Sequence, residues 1–421
     1  MRRYESYKDS GVEWLGEVPH CWDVKKVKNI FHLIVEPAAK NNQCELLSVY
    51  TDIGVKPRAE LEERGNKAST TDGYWIVKKG DIVVNKLLAW MGAIGLSEYD
   101  GVTSPAYDIL RPHQQINGKF FHYLFRTPLC LSEFKKNSRG IMDMRLRLYF
   151  EELGNIYIPF PSYQEQQKIA QFLDDKTAKI DQAVDLAEKQ IALLKEHKQI
   201  LIQNAVNRGL NPDVPLKDSC VEWIGQVPEH WEKYPLFVQA KISSITNHID
   251  KELLSVYLDR GVIRFSDVDE KRTNVTSLDL SKYQLVRKGN FVLNNQQAWR
   301  GSVGISNYEG IVSPAYLILE LSNKFESNYA NYLFRNGTMV AHYFVASKGV
   351  GSIQRNLYWG NLRRTPIFIP PLSEQQRIAD YLDAHIAKID QAIALKTAHI
   401  EKLKEYKSVL INDVVTGKVR V

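Results

Sequence analysis

Cysteines and long apolar runs are both scarce in this chain. Its 421 residues include only four cysteines, which lie far apart at Cys21, Cys44, Cys130 and Cys220. This spacing indicates neither a disulfide framework nor a zinc site, so we expect ordinary buried thiols. The longest apolar run, from Leu87 to Leu96, is too short to cross a bilayer, and the N-terminal MRRYESYKDSGVEW lacks the apolar core of a signal peptide. We therefore expect a cytoplasmic protein.

Motifs that carry catalysis are also missing from the sequence. It has no Asn/Asp-Pro-Pro-Tyr/Phe segment of an amino-methyltransferase and no Walker A loop, and Gly349-Val350-Gly351 is too short to hold a cofactor. The ten histidines form no metal-spaced set, and His197 and His385 fall on predicted helix surfaces. The sequence therefore predicts no catalytic residue, no metal site and no cofactor on this chain.

What is present is enough apolar sequence for two or three folded domains. Hydrophobic residues make up 44% of the chain, which is ample for folded cores. The formal net charge is +6 and the pI is near 8.8, which permits a polyanionic partner without requiring one.

An internal repeat covers the chain at an offset of 209 residues, from Lys8 to Lys217. The repeated segments include Lys8-Asp9-Ser10 with Lys217-Asp218-Ser219, Ala89-Trp90 with Ala298-Trp299, Ser104 to Tyr107 with Ser313 to Tyr316, and Tyr123 to Arg126 with Tyr332 to Arg335. We expect these shared residues to serve packing and turns. Each copy therefore predicts one mixed domain followed by one long helix.

The mixed domains are predicted to be α+β. Short β-prone segments lie between Gly and Pro residues, and short apolar segments favour helices. We predict strands at 75–78, 81–85, 155–159, 283–286 and 290–294, and short helices at 120–125 and 330–334.

The two long helices begin near 161 and 370, and each carries an apolar stripe with a seven-residue period. Ser162 and Glu165 predict a capping box at the start of the first helix. The predicted pairing seam is Leu173, Ile180, Ala187, Leu194, Leu201, Leu382, Ile389, Leu403 and Leu410, with Lys396 interrupting it. A core helix is the plain alternative, but the length and repetition favour an antiparallel coiled coil.

These elements predict a pseudo-twofold and cyclic arrangement of domains. The tail VVTGKVRV joined to the head MRRYESYKDS resembles the linker between the two copies. We assign 1–160 and 210–369 to the two mixed domains, and 161–209 and 370–421 to the helices. Two extra residues before Glu165 suggest that the two helix starts are not strictly symmetric.

The segments that differ between the copies are rich in groups suited to DNA. They are 56–74 and 262–283, 86–88 and 295–297, the single positions Met91 and Arg300, and 139–147 and 348–356. Arg and Lys recognise guanine, Asn and Gln recognise adenine, and basic residues also grip phosphates. The candidate DNA-binding residues are Lys86, Arg139, Arg145, Arg147, Asn294, Asn295, Gln296, Gln297, Arg300, Lys348 and Arg355. Polar turns and a solvated surface are the alternatives.

With its SPAY segments and its Pro-rich EQQ helix starts, the chain resembles the specificity subunit of type I restriction-modification systems. The specific features are IPFP with EQQKIA at 165–170, IPP with EQQRIA at 374–379, and the segments Val12–Gly16 and Val221–Gly225. The resemblance implies two target recognition domains that each read half of a split DNA sequence. It also implies helices that set the gap and dock two methyltransferase subunits, and through them restriction subunits.

On this resemblance the chain is not an enzyme, and S-adenosylmethionine, ATP and magnesium belong to the partners. A single-chain restriction enzyme is disfavoured by the missing motifs. A coiled-coil scaffold that presents two related modules to something other than DNA remains the alternative, and salt-sensitive DNA binding separates the two.

Overall fold

In the computed structural model of this chain, the described residues are 2–60, 71–142, 145–267, 279–350 and 354–421. They form two compact units: unit 1 comprises Met1–Glu188 and Ala398–Val421, and unit 2 comprises Lys189–Thr397. The boundary between the units lies inside both long helices, whereas the sequence analysis placed domain boundaries at the helix ends. Part of each helix belongs to the core of each unit.

Unit 1 contains a mixed domain of short strands and three helices. Its helices are α1 (Gly118–Phe125), α2 (Pro128–Asn137) and α3 (Phe150–Leu153). Its strands are β1 (Tyr7–Asp9), β2 (Glu17–Pro19), β3 (Asp23–Lys26), β4 (Phe31–Ile34), β5 (Leu47–Tyr50), β6 (Gly54–Pro57), β7 (Trp75–Val77), β8 (Ile82–Asn85), β9 (Ile94–Leu96), β10 (Gly101–Thr103), β11 (Tyr107–Pro112) and β12 (Tyr157–Phe160). The first long helix, α4 (Tyr163–Arg208), follows.

Unit 2 repeats this order of elements with one further short helix, α5, and one further pair of strands, β24 and β25. Its short helices are α5 (Leu236–Gln239), α6 (Ser327–Arg335), α7 (Gly337–Ala346) and α8 (Trp359–Leu362). Its strands are β13 (Leu216–Asp218), β14 (Gln226–Pro228), β15 (Glu232–Pro235), β16 (Ala240–Ser243), β17 (Leu254–Tyr257), β18 (Gly261–Arg264), β19 (Gln284–Val286), β20 (Phe291–Asn294), β21 (Val303–Ile305), β22 (Gly310–Val312), β23 (Tyr316–Leu321), β24 (Ser347–Val350), β25 (Gln354–Leu357) and β26 (Pro366–Ile369). The second long helix is α9 (Leu372–Val415).

Each mixed domain is built on a four-stranded antiparallel sheet. The strand order is β4-β11-β8-β9 in unit 1 and β16-β23-β20-β21 in unit 2. Asn85 lies opposite Tyr107 in the first sheet, and Asn294 lies opposite Tyr316 in the second. The matching order and register confirm the predicted α+β class with two homologous mixed domains.

The long helices pair in antiparallel directions. In unit 2, Lys396 Nζ donates to Gln190 Oε1 at 2.6 Å and Lys198 Nζ lies 2.7 Å from Asp390 Oδ1, so residue numbers rise along α4 as they fall along α9. Lys396, which interrupts the predicted seam, is therefore accommodated by a polar partner.

The predicted seam residues line these helix contacts to different depths. Leu173, Ile180 and Leu410 are buried in the core of unit 1, and Leu382 and Ile389 are buried in unit 2. The other four are half-buried: Ala187, Leu194, Leu201 and Leu403. Burial is deepest where the helices also pack on a mixed domain.

Both long helices start in the same way, which corrects the predicted asymmetry. Gln166 Nε2 donates to Pro161 O and Gln375 Nε2 to Pro370 O, both at 2.9 Å. The two glutamines are fully buried and 209 residues apart, so no residues are inserted before Glu165. The predicted capping box is half formed: Ser162 Oγ accepts from the Glu165 amide at 3.3 Å, whereas the Glu165 carboxylate accepts from Tyr4 Oη at 2.7 Å.

Shared tyrosines and serines form part of the scaffold, as predicted. The Tyr123 hydroxyl donates to Asp174 of α4 at 2.8 Å, and the Tyr332 hydroxyl donates to Asp383 of α9 at 2.5 Å. In both Ser-Pro-Ala-Tyr segments the serine Oγ accepts from the alanine amide at 3.3 Å, which closes a turn. Each mixed domain is thus fastened to a long helix by a tyrosine–aspartate hydrogen bond.

The prediction of buried thiols is wrong for three of the four cysteines. Only Cys130, in α2, is buried, and Cys21, Cys44 and Cys220 are exposed. The exposed cysteines lie in turns and loops between short strands, and Cys220 has a positive φ of 59°. Sequence spacing carried no information about these loops.

The ends of the described chain meet within unit 1. The Arg420 amide donates to Arg2 O at 2.8 Å, and the Tyr7 hydroxyl donates to Lys418 O at 3.1 Å. The C-terminal segment thus completes the unit to which the N-terminal segment belongs, in keeping with the predicted cyclic order.

Candidate nucleic-acid interface

The same tight turn follows the central strand β8 or β20 in both units. We call it the asparagine turn, residues 85–93 in unit 1 and 294–302 in unit 2. Asn85 Oδ1 accepts from the Leu87 amide and Asn294 Oδ1 accepts from the Gln296 amide, both at 3.1 Å. The turn includes one short 3₁₀ helix, Ala89–Met91 or Ala298–Arg300.

A glycine closes each asparagine turn. Gly92 and Gly301 have φ angles of 101° and 102°, in the left-handed region that favours glycine. The backbone bond from Met91 N to Leu88 O, at 2.9 Å, has its equivalent from Arg300 N to Gln297 O, also at 2.9 Å. The two turns form the same pattern of backbone hydrogen bonds. Side chains at equivalent positions therefore leave the backbone at equivalent points of the turn.

Beside each turn lies a second variable segment, which we call the arm; its described residues are 138–142 and 145–148 in unit 1 and 347–350 and 354–357 in unit 2. In unit 2 these residues form the paired strands β24 and β25, and in unit 1 Arg139 and Arg147 form the equivalent bridge. The Leu148 amide donates to Lys86 O at 2.9 Å, and the Leu357 amide donates to Asn295 O at 2.8 Å. The fold therefore brings together the two variable segments that the sequence separates by about fifty residues.

In unit 2 the turn, α7 and the arm share a row of stacked cationic and aromatic side chains. The guanidinium carbon of Arg300 lies 4.6 Å from the Trp299 ring centroid, and that of Arg355 lies 4.1 Å from the Phe344 ring centroid. The two aromatic ring centroids are 6.3 Å apart. Of the predicted residues, Arg300 and Arg355 are thus brought onto one surface, with positive charge held over aromatic faces.

Trp299 and Phe344 were missed by the sequence analysis as candidate site residues. Trp299 is shared with Trp90 and was assigned to packing, but it is only half-buried, and its indole donates to Gln296 O at 3.0 Å. Phe344 is exposed on α7. Its position in the apolar stretch 339–346 gave no signal, because neighbours such as Tyr343 are fully buried.

The four polar residues that begin the unit 2 turn have different roles. Asn294 uses its carbonyl within the turn, as Asn85 does, so this carbonyl has a structural role. Asn295 Oδ1 is buried and has no hydrogen-bond partner among the described residues. Gln296 and Gln297 are exposed, and so are Arg300 and Lys348. The exposed members are the ones available to a ligand.

In unit 1 the predicted cations are partly engaged within the protein. Lys86 Nζ lies 3.1 Å from Asp108 Oδ1, and burial raises the pKa of Asp108 while Lys86 opposes that shift. Arg139 pairs with Glu152 of α3, and the Arg147 guanidinium donates to Arg145 O at 3.1 Å. Arg139 and Arg145 nevertheless remain exposed.

Parts of the predicted variable segments lie outside the described residues. These are 61–70 of the segment 56–74, 268–278 of 262–283, 143–144 of 139–147 and 351–353 of 348–356. Within the described residues, no group of three or more His, Cys, Asp or Glu side chains is arranged to hold a metal ion. The described helices also include none that is long and apolar enough to cross a membrane.

The two domains are related, and each presents different side chains on a turn of the same backbone conformation. This arrangement is that of a protein with two binding modules. The family model for the type I restriction modification DNA specificity domain matches residues 19–195 and 235–405. The chain belongs to this family and is a type I restriction-modification specificity subunit.

Individual relatives agree with this assignment. The chain is 25% identical over 366 residues to the type I restriction enzyme MjaVIII specificity subunit of Methanocaldococcus jannaschii, covering 81% of each chain. Among solved structures, the HsdS subunit from Thermoanaerobacter tengcongensis is 14% identical, with a TM-score of 0.55 over 96% of this chain and 98% of that chain. A chain described under "complex assembly and conformational transition of the type I R-M system" is 13% identical, with a TM-score of 0.68 over 96% and 99%. At these identities the structures support the fold.

Proposed function

We propose that each unit reads one half of a bipartite double-stranded DNA target, with the asparagine turn and the arm as the reading surface. The observation that carries this proposal is one turn backbone bearing different side chains in the two units. Gln296, Gln297 and Arg300 in unit 2 stand where unit 1 has Leu87, Leu88 and Met91. The same turn backbone with different side chains in the two units suits a subunit whose two halves recognise different DNA sequences.

The chemistry of unit 2 fits base edges and phosphates. Gln and Arg side chains pair with adenine and guanine in the major groove, and each good pair discriminates by about 1 to 3 kcal/mol. Arg300 over Trp299 and Arg355 over Phe344 are positively charged and at least partly exposed. Lys348, also exposed, extends the basic surface along the arm. Phosphate contacts by such residues set position and register, while contacts to base edges give specificity.

We also propose that the paired long helices hold the two reading domains at a fixed spacing and dock two adenine-N6 methyltransferase subunits. Each helix is continuous, at 46 residues for α4 and 44 for α9, and their antiparallel pairing is seen within each unit. A helix of this length spans roughly 65 Å, at 1.5 Å per residue. In unit 2, Leu193 and Ile200 are exposed one heptad apart on α4, which offers an apolar stripe for a partner.

Chemistry in this assembly is assigned to the partners. We propose that this chain is non-catalytic, that S-adenosylmethionine binds the methyltransferase subunits, and that ATP and magnesium serve the restriction subunits joined through them. The assembly would act in the cytoplasm, where its DNA lies. Support comes from the family membership and from the absence of catalytic motifs in the sequence.

The test is selection of duplex DNA from a random pool by the complex of this chain with its methyltransferase subunits. We expect two conserved half-sites with a fixed gap and a steep loss of affinity with salt. Arg300→Ala should relax one half-site only, by roughly 5- to 150-fold at one base pair. Met91→Ala, at the equivalent position of unit 1, is the matched control. It should leave recognition of the half-site that unit 2 reads unchanged. Equal loss at both half-sites after Arg300→Ala would contradict modular reading.

A further inference from the structure

We propose that the two units read DNA by different chemistries, and that unit 1 recognises thymine methyl groups through an apolar asparagine turn. This inference rests on the proposed function and specifies the ligand chemistry of one half-site. It starts from the side chains that the unit 1 turn exposes.

The unit 1 turn presents apolar side chains to the outside. Leu87 is 37% exposed, Leu88 40% and Met91 49%. Their equivalents in unit 2 are Gln296, Gln297 and Arg300, so the exchange runs from polar to apolar at three positions of one turn. Three partly exposed apolar side chains on one turn form a candidate binding surface.

Folding of the turn does not require these apolar side chains. The turn is held by backbone bonds, by the Asn85 carbonyl and by Gly92, and the unit 2 turn forms the same bonds with polar residues at these positions. The exposed parts of these apolar side chains are therefore not needed to hold the turn, and they are free to contact a ligand.

The surroundings of this apolar turn favour DNA as the ligand. Lys135 lies 4.8 Å from the Trp90 ring centroid, at the position that Phe344 occupies in unit 2. The adjoining arm carries Arg139 and Arg145 as exposed residues. Apolar side chains next to cations complement a duplex, because the cations face phosphates while the apolar atoms face base edges.

Among base edges in the major groove, the apolar feature is the C5-methyl group of thymine. Leucine and methionine offer no hydrogen bond to distinguish the other edges, so thymine methyls are the groups that this turn can select. Lys86 is already engaged within the protein, since its ammonium group pairs with Asp108 and donates to Pro105 O. Ile141, which is 97% exposed on the arm, extends the apolar surface. The unit 1 half-site is therefore expected to contain at least one A·T pair.

The experiment uses the complex with its methyltransferase subunits and duplexes that carry the selected target. In one series each thymine is replaced in turn by deoxyuridine, which lacks only the methyl group. In the other series each adenine or guanine is replaced by its 7-deaza analogue, which removes the N7 acceptor. Met91→Ala and Arg300→Ala assign each half-site to its unit.

Deoxyuridine should weaken binding in the unit 1 half-site by about fourfold for each methyl group that is buried, from about 0.8 kcal/mol per carbon. The 7-deaza bases should weaken binding mainly in the unit 2 half-site. In the triple variant Leu87→Gln, Leu88→Gln, Met91→Arg, which places the unit 2 side chains in unit 1, the unit 1 half-site should lose its sensitivity to deoxyuridine. Unchanged binding to the unit 2 half-site is the internal control for folding.

Bipartite binding with no effect of deoxyuridine in the unit 1 half-site would overturn this inference and leave the proposed function standing. A unit 1 half-site made only of G·C pairs would do the same. If the triple variant instead loses its methyltransferase subunits while deoxyuridine has no effect, the apolar turn faces a protein, and the inference is overturned. An absence of sequence-specific binding to any duplex would remove the proposed function itself.

Discussion

His122 is predicted to make unit 1 sensitive to mild acid, and unit 2 contains the matched substitution that removes this sensitivity. His122 Nδ1 accepts a hydrogen bond from the Leu96 amide at 3.3 Å, so this nitrogen must stay unprotonated in the folded unit. At the equivalent position, Asn331 Oδ1 accepts from the Ile305 amide at 3.2 Å. His122→Asn therefore keeps the acceptor and removes the titrating group.

The size of the effect follows from the shifted pKa. Burial, and secondarily the nearby Arg126, lower the pKa of His122 from 6.5 to about 4, while Asp174 opposes the shift and Lys119 adds to it. Between these two values the unfolded chain binds a proton that the folded unit does not, so stability falls as the pH falls. From pH 7 to pH 5 this linkage costs the folded unit about 2 kcal/mol.

The assay is denaturant unfolding at pH 7 and pH 5, read for each unit by hydrogen exchange of α1 and α6. Between pH 7 and pH 5, the free energy of unfolding of unit 1 should fall by about 2 kcal/mol more in the wild type than in the His122→Asn variant. The converse variant, Asn331→His, should make unit 2 more acid-sensitive. The glycines at 54 and 95, which pack near the His122 ring, are matched by glycines at 261 and 304.

Equal losses in the wild type and in His122→Asn would refute this reasoning, because the acid sensitivity would then have another source. His342, whose pKa burial lowers to about 4, provides such a source in unit 2 but not in unit 1. The stability of each unit must therefore be measured separately.

Further predictions concern contacts inside each unit. Tyr332→Phe should destabilise unit 2 by roughly 1 to 2 kcal/mol in denaturant unfolding, because the Asp383 carboxylate loses its hydroxyl donor; no change would show that this bond is replaced by water at no cost. Leu173→Ala, at a fully buried seam position, should cost about 2 to 5 kcal/mol. Lys407→Ala should cost less than about 1 kcal/mol, since its ion pair with Asp181 is partly exposed to solvent; the reverse order of these two losses would contradict an apolar helix seam.

The scaffold could be predicted from the sequence because the chain contains it twice. The offset of 209 residues matched the sheet strands, the serine turns and the tyrosines that bind the long helices. Periodicity also located the starts of both long helices to within about two residues, whereas the second helix ends at Val415 rather than at 421. It could not show that the unit boundary falls inside them, because that depends on how each mixed domain packs against half of each helix.

The candidate site could be predicted only in part. Comparison of the two copies selected the turn and the arm, but not their contact, which depends on backbone bonds such as Leu357 N to Asn295 O. It gave no signal for Phe344, whose exposure distinguishes it from buried aromatic neighbours. The pairing of Lys86 with Asp108 was equally hidden, because these residues meet across neighbouring strands.

Contrast between the two units is more informative for function than either unit alone. The polar turn of unit 2, with Arg300 stacked on it and Arg355 on the adjoining arm, and the apolar turn of unit 1, with cations nearby, have the same backbone conformation. Exchange of three side chains would then alter a half-site without disturbing the helices or the partner subunits. Such independence is what a specificity subunit with separable readers requires.

The central claim, that two units read two halves of one DNA target, is tested most directly by methylation mapping. This chain would be expressed together with its methyltransferase subunit, and N6-methyladenine would be located across the host DNA by single-molecule sequencing. The account predicts a split motif with a gap of fixed length. A continuous motif, or a stable complex that methylates nothing, would contradict it.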